Sequence, residues 1–232
     1  MNSVGLQYVR LIGGVAVSLA LVSSSAANNS IHTTYLWHLH QPIYWPDQRR
    51  AGGDDQYENA WDSIQQRDGG AQHPENNLRE IFGVDDRIAA YQWRTRDSIG
   101  TIGGLPDAGA QINYSGALME NVGSLGAANQ LGYSGFWNGP INEARGWTTS
   151  GGFPRADMVN FAYHHALLPL QSPRTQWLQI RLHQEKMQQV WGISPGSAPG
   201  YFPTEMGFSE RLIPVLQQLG IQWVIISNEH LS

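Results

Sequence analysis

The chain contains no cysteine among its 232 residues. Disulfides, thiolate metal sites and a cysteine nucleophile are therefore excluded. Basic residues are also scarce, because 14 lysines and arginines are spread over a chain whose net charge is -5. No basic patch is present that would favour nucleic acid as a partner. A neutral or weakly polar ligand fits this charge balance better.

The sequence also lacks an apolar run of the ~20 residues that a membrane span requires. The shorter apolar run of residues 11–22 follows a single positive charge at Arg10 and precedes a stretch of serine and alanine. This pattern predicts a secretory signal peptide over residues 1–27, followed by one domain over residues 28–232. We expect a secreted or periplasmic protein with no stable membrane association after cleavage. An uncleaved N-terminal anchor is the alternative.

The segment 35–42 carries the most informative motif. Strand side chains alternate between faces, so His38 and His40 are expected to lie on the same side of a β-strand. Pro42 ends the strand and leaves His40 and Gln41 at its carboxyl end. Ligands of α/β barrels and open sheets bind at such strand ends.

Hydrophobic periodicity predicts an α/β order in the rest of the chain. A helix is predicted over residues 85–99, and Ser115, Ser172 and Ser209 are predicted to cap three more. This order implies right-handed crossovers and a mainly parallel sheet that forms part of a barrel. The other predicted strands cover residues 112–114, 159–164, 199–205 and 221–226, and long loops are predicted over residues 46–77 and 132–157.

Glu205 is the strongest candidate for a catalytic residue. Apolar and aromatic residues flank it in the segment 200–208, at a strand end, so we expect a semi-buried carboxylate with a raised pKa unless His38 or His164 stabilises the anion. A retaining glycosidase uses such a nucleophile with a second carboxyl group about 5 to 5.5 Å away. A capping or salt-bridged glutamate is the alternative.

Other polar and aromatic side chains are expected near Glu205. Gln41, His164 and Asn228 also follow predicted strands, and Trp45 lies in a polar loop where an indole ring suits a sugar. The sequence does not single out the second carboxyl group. The available carboxylates are Asp54, Asp55, Asp107, Asp157 and Glu229.

The histidines also permit an alternative hypothesis, in which they bind a catalytic metal ion. A site with two histidines and one carboxylate would suit a carbohydrate deacetylase, in which metal-bound water attacks an amide or ester. Residues 28–45 offer no carboxylate ligand, however, so we predict no metal and expect His38, His40 and His164 to bind sugar hydroxyls. We expect packing or surface exposure for His165 and His183.

The sequence resembles glycoside hydrolase family 57 over residues 34–228. Four segments in the right order carry this resemblance, and they are His40-Gln41-Pro42, Asn113 to Leu118, Tyr163 to Leu170 and Phe202-Pro203-Thr204-Glu205.

The resemblance implies a retaining mechanism on α-glucans, a (β/α)7 barrel and no cofactor. Glu205 would be the nucleophile, and His38 and His40 would line the subsite of the sugar under attack. Gln41, Trp45, His164 and Phe202 complete the predicted binding set for a polysaccharide or oligosaccharide substrate. Family members place the acid/base aspartate further downstream, so we expect an N-terminal portion of the barrel that is inactive alone. A deacetylase and a non-catalytic sugar-binding protein are the alternatives.

Overall fold

The computed structural model describes residues 34–49, 56–70 and 77–227. Several positions named above lie outside these residues, and they are the predicted signal peptide, Asp54, Asp55, Asn228 and Glu229.

Parallel strands form the centre of the fold. Three strands pair in the order β1-β2-β3 and two more pair as β4-β5, with parallel partners in both sheets. A parallel bridge between Asn160 and Tyr201 joins the edge after β3 to β4. The mainly parallel α/β arrangement is therefore confirmed. The strands are β1 (Leu36–Leu39), β2 (Ala110–Tyr114), β3 (Ala156–Met158), β4 (Gly200–Tyr201) and β5 (Trp223–Val224).

Helices connect the strands. No helix in the described ranges is long and apolar enough to cross a membrane. The helices are α1 (Ala60–Asp68), α2 (Leu78–Phe82), α3 (Asp85–Gln92), α4 (Arg94–Thr101), α5 (Gly116–Ala127), α6 (Gly139–Arg145), α7 (Pro173–Trp191) and α8 (Ile213–Gln218), with 3₁₀ turns at Leu168–Leu170, Thr204–Met206 and Glu210–Leu212.

The predicted helix caps at Ser115 and Ser172 are confirmed, whereas Ser209 caps the 3₁₀ turn Glu210–Leu212 that precedes α8. The Ser115 hydroxyl accepts from the Leu118 N–H at the start of α5, and the Ser172 hydroxyl caps α7 in the same way. Gly192 ends α7 in the left-handed conformation.

The apolar spacing of α7 predicts a buried stripe through Trp177, Ile180, Met187 and Val190. This is wrong at Trp177, which is 38% exposed, because the buried face of the helix passes through the neighbouring Gln176 instead.

Both predicted long loops contain regular structure. The loop at 46–77 includes α1, whose start Asn59 stabilises with a capping box, and the loop at 132–157 includes α6 and most of β3. Glycine, asparagine and tryptophan obscured the periodicity of these short elements. The predicted helix 85–99 divides into α3 and α4 because the backbone at Trp93 leaves the helical region.

Three predicted strands are shorter than expected. The strand predicted over residues 199–205 is reduced to β4, which covers only Gly200–Tyr201. The strand predicted over residues 159–164 does not form, since β3 ends at Met158. In the predicted range only Asn160 pairs, through its bridge to Tyr201. The strand predicted over residues 221–226 is reduced to β5, whose side chains are half-buried. These short pairings leave residues 159–165 free to follow an irregular path across the carboxyl edge of the sheet.

Candidate active site

Three imidazole rings meet at the carboxyl end of β1, and we call His38, His40 and His165 the histidine cluster. The rings of His38 and His40 are nearly parallel, with centroids 6.2 Å apart, so their predicted common face is confirmed. His165 stacks on His40 at 4.1 Å. Its Nε2 lies 3.2 Å from Nε2 of His38. His165 therefore packs against both histidines of β1, in a position that the sequence did not predict.

The neighbouring strand anchors the two histidines of β1. The parallel register places Asn113 of β2 opposite His38. The amide oxygen of Asn113 lies 2.7 Å from Nδ1 of His38, and the hydroxyl of Ser115 lies 2.8 Å from Nδ1 of His40. In both rings Nδ1 is thus hydrogen-bonded to a residue on β2 or directly after it, and Nε2 lies on the side of the ring away from that contact.

Glu205 lies in a short turn just after β4, beside the histidine cluster. Its Oε1 is 3.5 Å from Nε2 of His165. The side chain of Glu205 is 71% exposed, so the expectation of a semi-buried carboxylate is wrong. The reason is the turn Thr204–Met206, which lifts the residue away from its apolar neighbours. An accessible carboxylate is free to reach a ligand atom without first losing a buried partner.

The backbone is strained at this place. His165, Glu205 and Met206 have φ angles of 61°, 52° and 59°, in the left-handed region that side-chain-bearing residues rarely adopt. Each such residue costs on the order of 1–3 kcal/mol, and strain of this kind concentrates at functional sites. The other non-glycine residues with positive φ in the described ranges are Asn129 and Leu131.

Aromatic rings form the apolar side of the site. The His38 ring lies 4.8 Å from Phe161 and 5.3 Å from Phe202. These two phenyl rings stack on each other at 5.8 Å. Phe161 is fully buried, whereas Phe202 is half-buried beside His38.

The electrostatics favour neutral imidazoles. Desolvation between the aromatic rings lowers the pKa of His38, against the opposing effects of Asn113 and Glu205. Desolvation and the neighbouring His165 and His38 lower the pKa of His40 to about 3. The pKa of His165 is lowered by burial and by His38. Each neutral ring offers one donor and one acceptor, which suits sugar hydroxyls.

The remaining predicted binding residues have other immediate neighbours. Gln41 donates to the Tyr91 hydroxyl and accepts from the Tyr44 hydroxyl. Trp45 packs against the main hydrophobic core. The His164 ring lies at the surface against Tyr57 and Tyr163. Their binding roles stay predictions.

Two of the candidate second carboxylates lie at the opposite edge of the sheet. Asp107 and Asp157 line a cleft at the amino ends of β2 and β3, and Asp107 accepts from the Ser150 hydroxyl. Glu205 and the histidine cluster lie at the carboxyl ends. Neither aspartate is therefore placed to pair with Glu205.

Sequence reasoning missed the carboxylate of Glu120. It accepts from the hydroxyls of Tyr57 and Tyr163, and Nζ of Lys186 lies 3.7 Å away. The hydrogen bond to Glu120 fixes the ring of Tyr163, the residue that directly precedes His164 and His165. The only signal in the sequence was that Glu120 is the one charged residue of α5.

The sequence also contained no sign that His183 connects elements around the site. Its Nε2 donates to the Tyr114 carbonyl at 2.7 Å, and its Nδ1 accepts from the Phe161 N–H at 3.4 Å. His183 is 1% exposed. It therefore ties α7 to the end of β2 and to the segment beside His38.

The buried imidazole of His183 is expected to make the fold sensitive to acid. Burial lowers its pKa to about 4 from the ordinary value of 6.5. The unfolded state therefore binds more protons between these values, and stability is full above pH ~6.5 and is lost as the pH falls through ~4, by as much as about 3 kcal/mol. Urea denaturation at neutral pH and near pH 4 measures this loss.

The variant His183→Gln isolates this contribution, because glutamine retains a donor for the Tyr114 carbonyl but does not titrate. The lowered pKa values of His38, His40 and His165 act in the same direction in both proteins. We expect the loss on acidification to shrink by as much as about 3 kcal/mol. An equal loss in both proteins would show that His183 is not responsible.

Within the described ranges, no group of three or more histidine, aspartate or glutamate side chains has the geometry to hold a metal ion.

Comparison with known proteins agrees with the resemblance seen in the motifs. Residues 151–231 match the family model described as Glycosyl hydrolase family 57, which confirms the resemblance over the part of the chain that holds His165 and Glu205. An alpha-amylase of Niallia circulans is 29% identical over 248 aligned positions, which cover 96% of this chain and 19% of that protein. The chain thus spans about a fifth of that relative's length.

One solved structure supports the fold. The crystal structure of a 4-alpha-glucanotransferase from Thermococcus litoralis superimposes with a TM-score of 0.51 at 14% identity, over 85% of this chain and 22% of that one. This likeness shows a shared fold.

Proposed function

We propose that residues 28–232 are the N-terminal portion of the (β/α)7-type catalytic barrel of a retaining glycoside hydrolase or transglycosidase that acts on α-glucans. Glu205 is its nucleophile, and the histidine cluster is its sugar subsite. The family match over residues 151–231 and the parallel strand order support this proposal. We further propose that the enzyme is secreted or periplasmic after removal of residues 1–27.

The observation that carries the proposal is one accessible carboxylate on a strained turn beside three neutral imidazoles. Oε1 of Glu205 lies 3.5 Å from Nε2 of His165, and the side chain remains 71% exposed. In a retaining mechanism this oxygen bonds to the anomeric carbon as the glycosidic carbon–oxygen bond breaks. The leaving oxygen takes a proton from a second carboxyl group, which we assign to an aspartate outside these residues.

The chain's own residues then have distinct tasks. His38 and His40 exchange hydrogen bonds with hydroxyls of the sugar under attack, and Phe202 covers an apolar face of the ring. His165 holds the carboxylate of Glu205 in place while that group is free. Water or a sugar hydroxyl next attacks the glycosyl ester and releases Glu205, which gives hydrolysis in the first case and transfer in the second.

Removal of the His38 ring is expected to weaken the enzyme. His38→Ala should lower kcat/KM for a short maltooligosaccharide about tenfold in the whole enzyme, because one net hydrogen bond contributes roughly 1 kcal/mol and an unpaired partner costs more. Initial-rate kinetics measure the effect. Tyr35→Ala is the control, since Tyr35 is 67% exposed at the start of the same strand and points to the other face. Equal kinetics in the His38 variant and the wild type would place this imidazole outside the subsite.

Chelation separates the glycosidase from the deacetylase. We expect glucan turnover to survive dialysis against EDTA, since the proposed steps use only carboxylates and imidazoles. Loss of activity that zinc restores would favour a metal-dependent deacetylase. Binding of glucan without any turnover by the whole protein would favour a non-catalytic sugar-binding protein.

A further inference from the structure

Asn113 is a fully buried amide that connects the histidine cluster to the backbone. Its side chain is 0% exposed and lies on β2, directly opposite His38. The Nδ2 group donates to the Val159 carbonyl at 3.1 Å, and Oδ1 lies 2.7 Å from Nδ1 of His38. No mechanistic step proposed above uses this residue.

These two contacts determine where the protons are. A carbonyl oxygen only accepts, so the amide nitrogen of Asn113 must face Val159. The amide oxygen therefore faces His38, and since it too only accepts, Nδ1 of His38 must carry a hydrogen. The backbone of the segment after β3 thus sets the tautomer of a ring on β1.

The fixed proton on Nδ1 has a consequence on the other side of the ring. In neutral His38 the Nε2 atom is left with a bare lone pair. It lies 3.2 Å from Nε2 of His165, which must then be the donor. The same nitrogen of His165 is 3.5 Å from Oε1 of Glu205. The hydrogen on His165 therefore lies next to both the lone pair of His38 and the carboxylate.

His40 has no comparable constraint. Its Nδ1 contacts the hydroxyl of Ser115 at 2.8 Å, and that hydroxyl is able to donate or accept. Both neutral tautomers of His40 satisfy this contact. The two histidines of β1 thus differ. The amide of Asn113 fixes the tautomer of His38, whereas the hydroxyl of Ser115 accommodates either tautomer of His40.

We propose that Asn113 is a positioning residue, which locks His38 in the Nδ1–H tautomer. Nε2 of His38 then accepts a hydrogen bond, from a sugar hydroxyl when sugar is bound and from the Nε2–H of His165 beside Glu205 when it is not. The sugar contact rests on the proposed function, whereas the tautomer does not. A ring locked in this way selects ligands that present a hydroxyl donor to His38 and disfavours those that present an ether oxygen there.

Nitrogen NMR of the histidine-labelled protein tests the lock without any substrate. At neutral pH we expect Nδ1 of His38 to resonate as a protonated nitrogen and Nε2 as an unprotonated one. In Asn113→Leu the acceptor for Nδ1–H is lost, so we expect His38 to shift toward the other neutral tautomer, with a protonated Nε2 and a bare Nδ1 at the same pH. Binding of a short maltooligosaccharide should weaken about tenfold in this variant, because Nε2 no longer accepts.

Asn121→Leu is the matched control. Asn121 is equally buried and bridges two backbone groups, the Pro42 carbonyl and the Ala60 N–H, without touching a histidine. We expect it to lose stability but to keep the wild-type nitrogen signals of His38. Either a wild-type His38 with a bare Nδ1 or unchanged His38 signals in Asn113→Leu would overturn the proposal, as would the same change of tautomer in Asn121→Leu. Failure of Glu205 as nucleophile would leave these signals unaffected, so the two proposals fail separately.

Discussion

Replacement of Glu205 by Gln is expected to lower glucan turnover by about four orders of magnitude or more in the whole enzyme, while glucan binding is retained. Glutamine has the same shape but has no anionic oxygen to form an ester with the anomeric carbon. Glu205 is 71% exposed and makes one long contact to His165, so its replacement should not disturb the fold. Turnover is measured by product release and binding by calorimetry with a maltooligosaccharide.

Glu210→Gln provides the control for a lost charge in the same segment. Glu210 is exposed and begins the 3₁₀ turn after Ser209, where its charge favours the helix N-terminus. We expect near wild-type turnover in this variant. Substantial turnover by Glu205→Gln would show that Glu205 is not the nucleophile and that another carboxylate has this role.

A single added methyl group at Gly116 is expected to disrupt both stability and activity. A Cβ there would lie 2.3 Å from Cδ2 of Tyr163, well inside van der Waals contact. The ring has no simple escape, because its hydroxyl donates to Glu120 and the backbone carbonyl of Tyr163 accepts from the Ala117 N–H. Overpacking of this kind costs roughly 1–3 kcal/mol. Any shift of Tyr163 also moves His165, two residues further on.

The measurement for Gly116→Ala is urea denaturation together with kcat. A matched control lies on the same helix, since a Cβ at Gly123 would have its nearest neighbour at 4.0 Å. Gly123→Ala should stabilise the protein by about 0.5–1 kcal/mol through helix propensity alone. Equal stability changes in the two variants would mean that Tyr163 does not restrict α5.

Local chemistry in the sequence predicted several parts of the structure. The common face of His38 and His40 follows from strand alternation, and the starts of α5 and α7 follow from Ser115 and Ser172. The parallel order follows from the alternation of strands and helices. These features depend on residues a few positions apart, where one sequence contains enough information.

Long-range contacts account for what was missed. His165 reaches the cluster because a left-handed residue turns the irregular segment after β3, and His38 is distant from it in sequence. Asn113 lies in a segment that carries the family resemblance, but nothing in that segment marks it as the partner of His38, because the contact depends on the register of β1 against β2. The exposure of Glu205 reversed the expectation drawn from its apolar neighbours, because a 3₁₀ turn decides it.

Covalent trapping tests the central claim most directly. A fluorinated maltosyl fluoride forms the glycosyl ester without an acid, since fluoride leaves unprotonated, and its ring fluorine slows breakdown of the ester by destabilising the oxocarbenium-like transition state. Mass spectrometry of the tryptic peptide 187–211 should show one added glycosyl group on Glu205, absent in Glu205→Gln. A glycosyl group on another carboxylate, or rapid turnover with no trapped ester, would contradict the account.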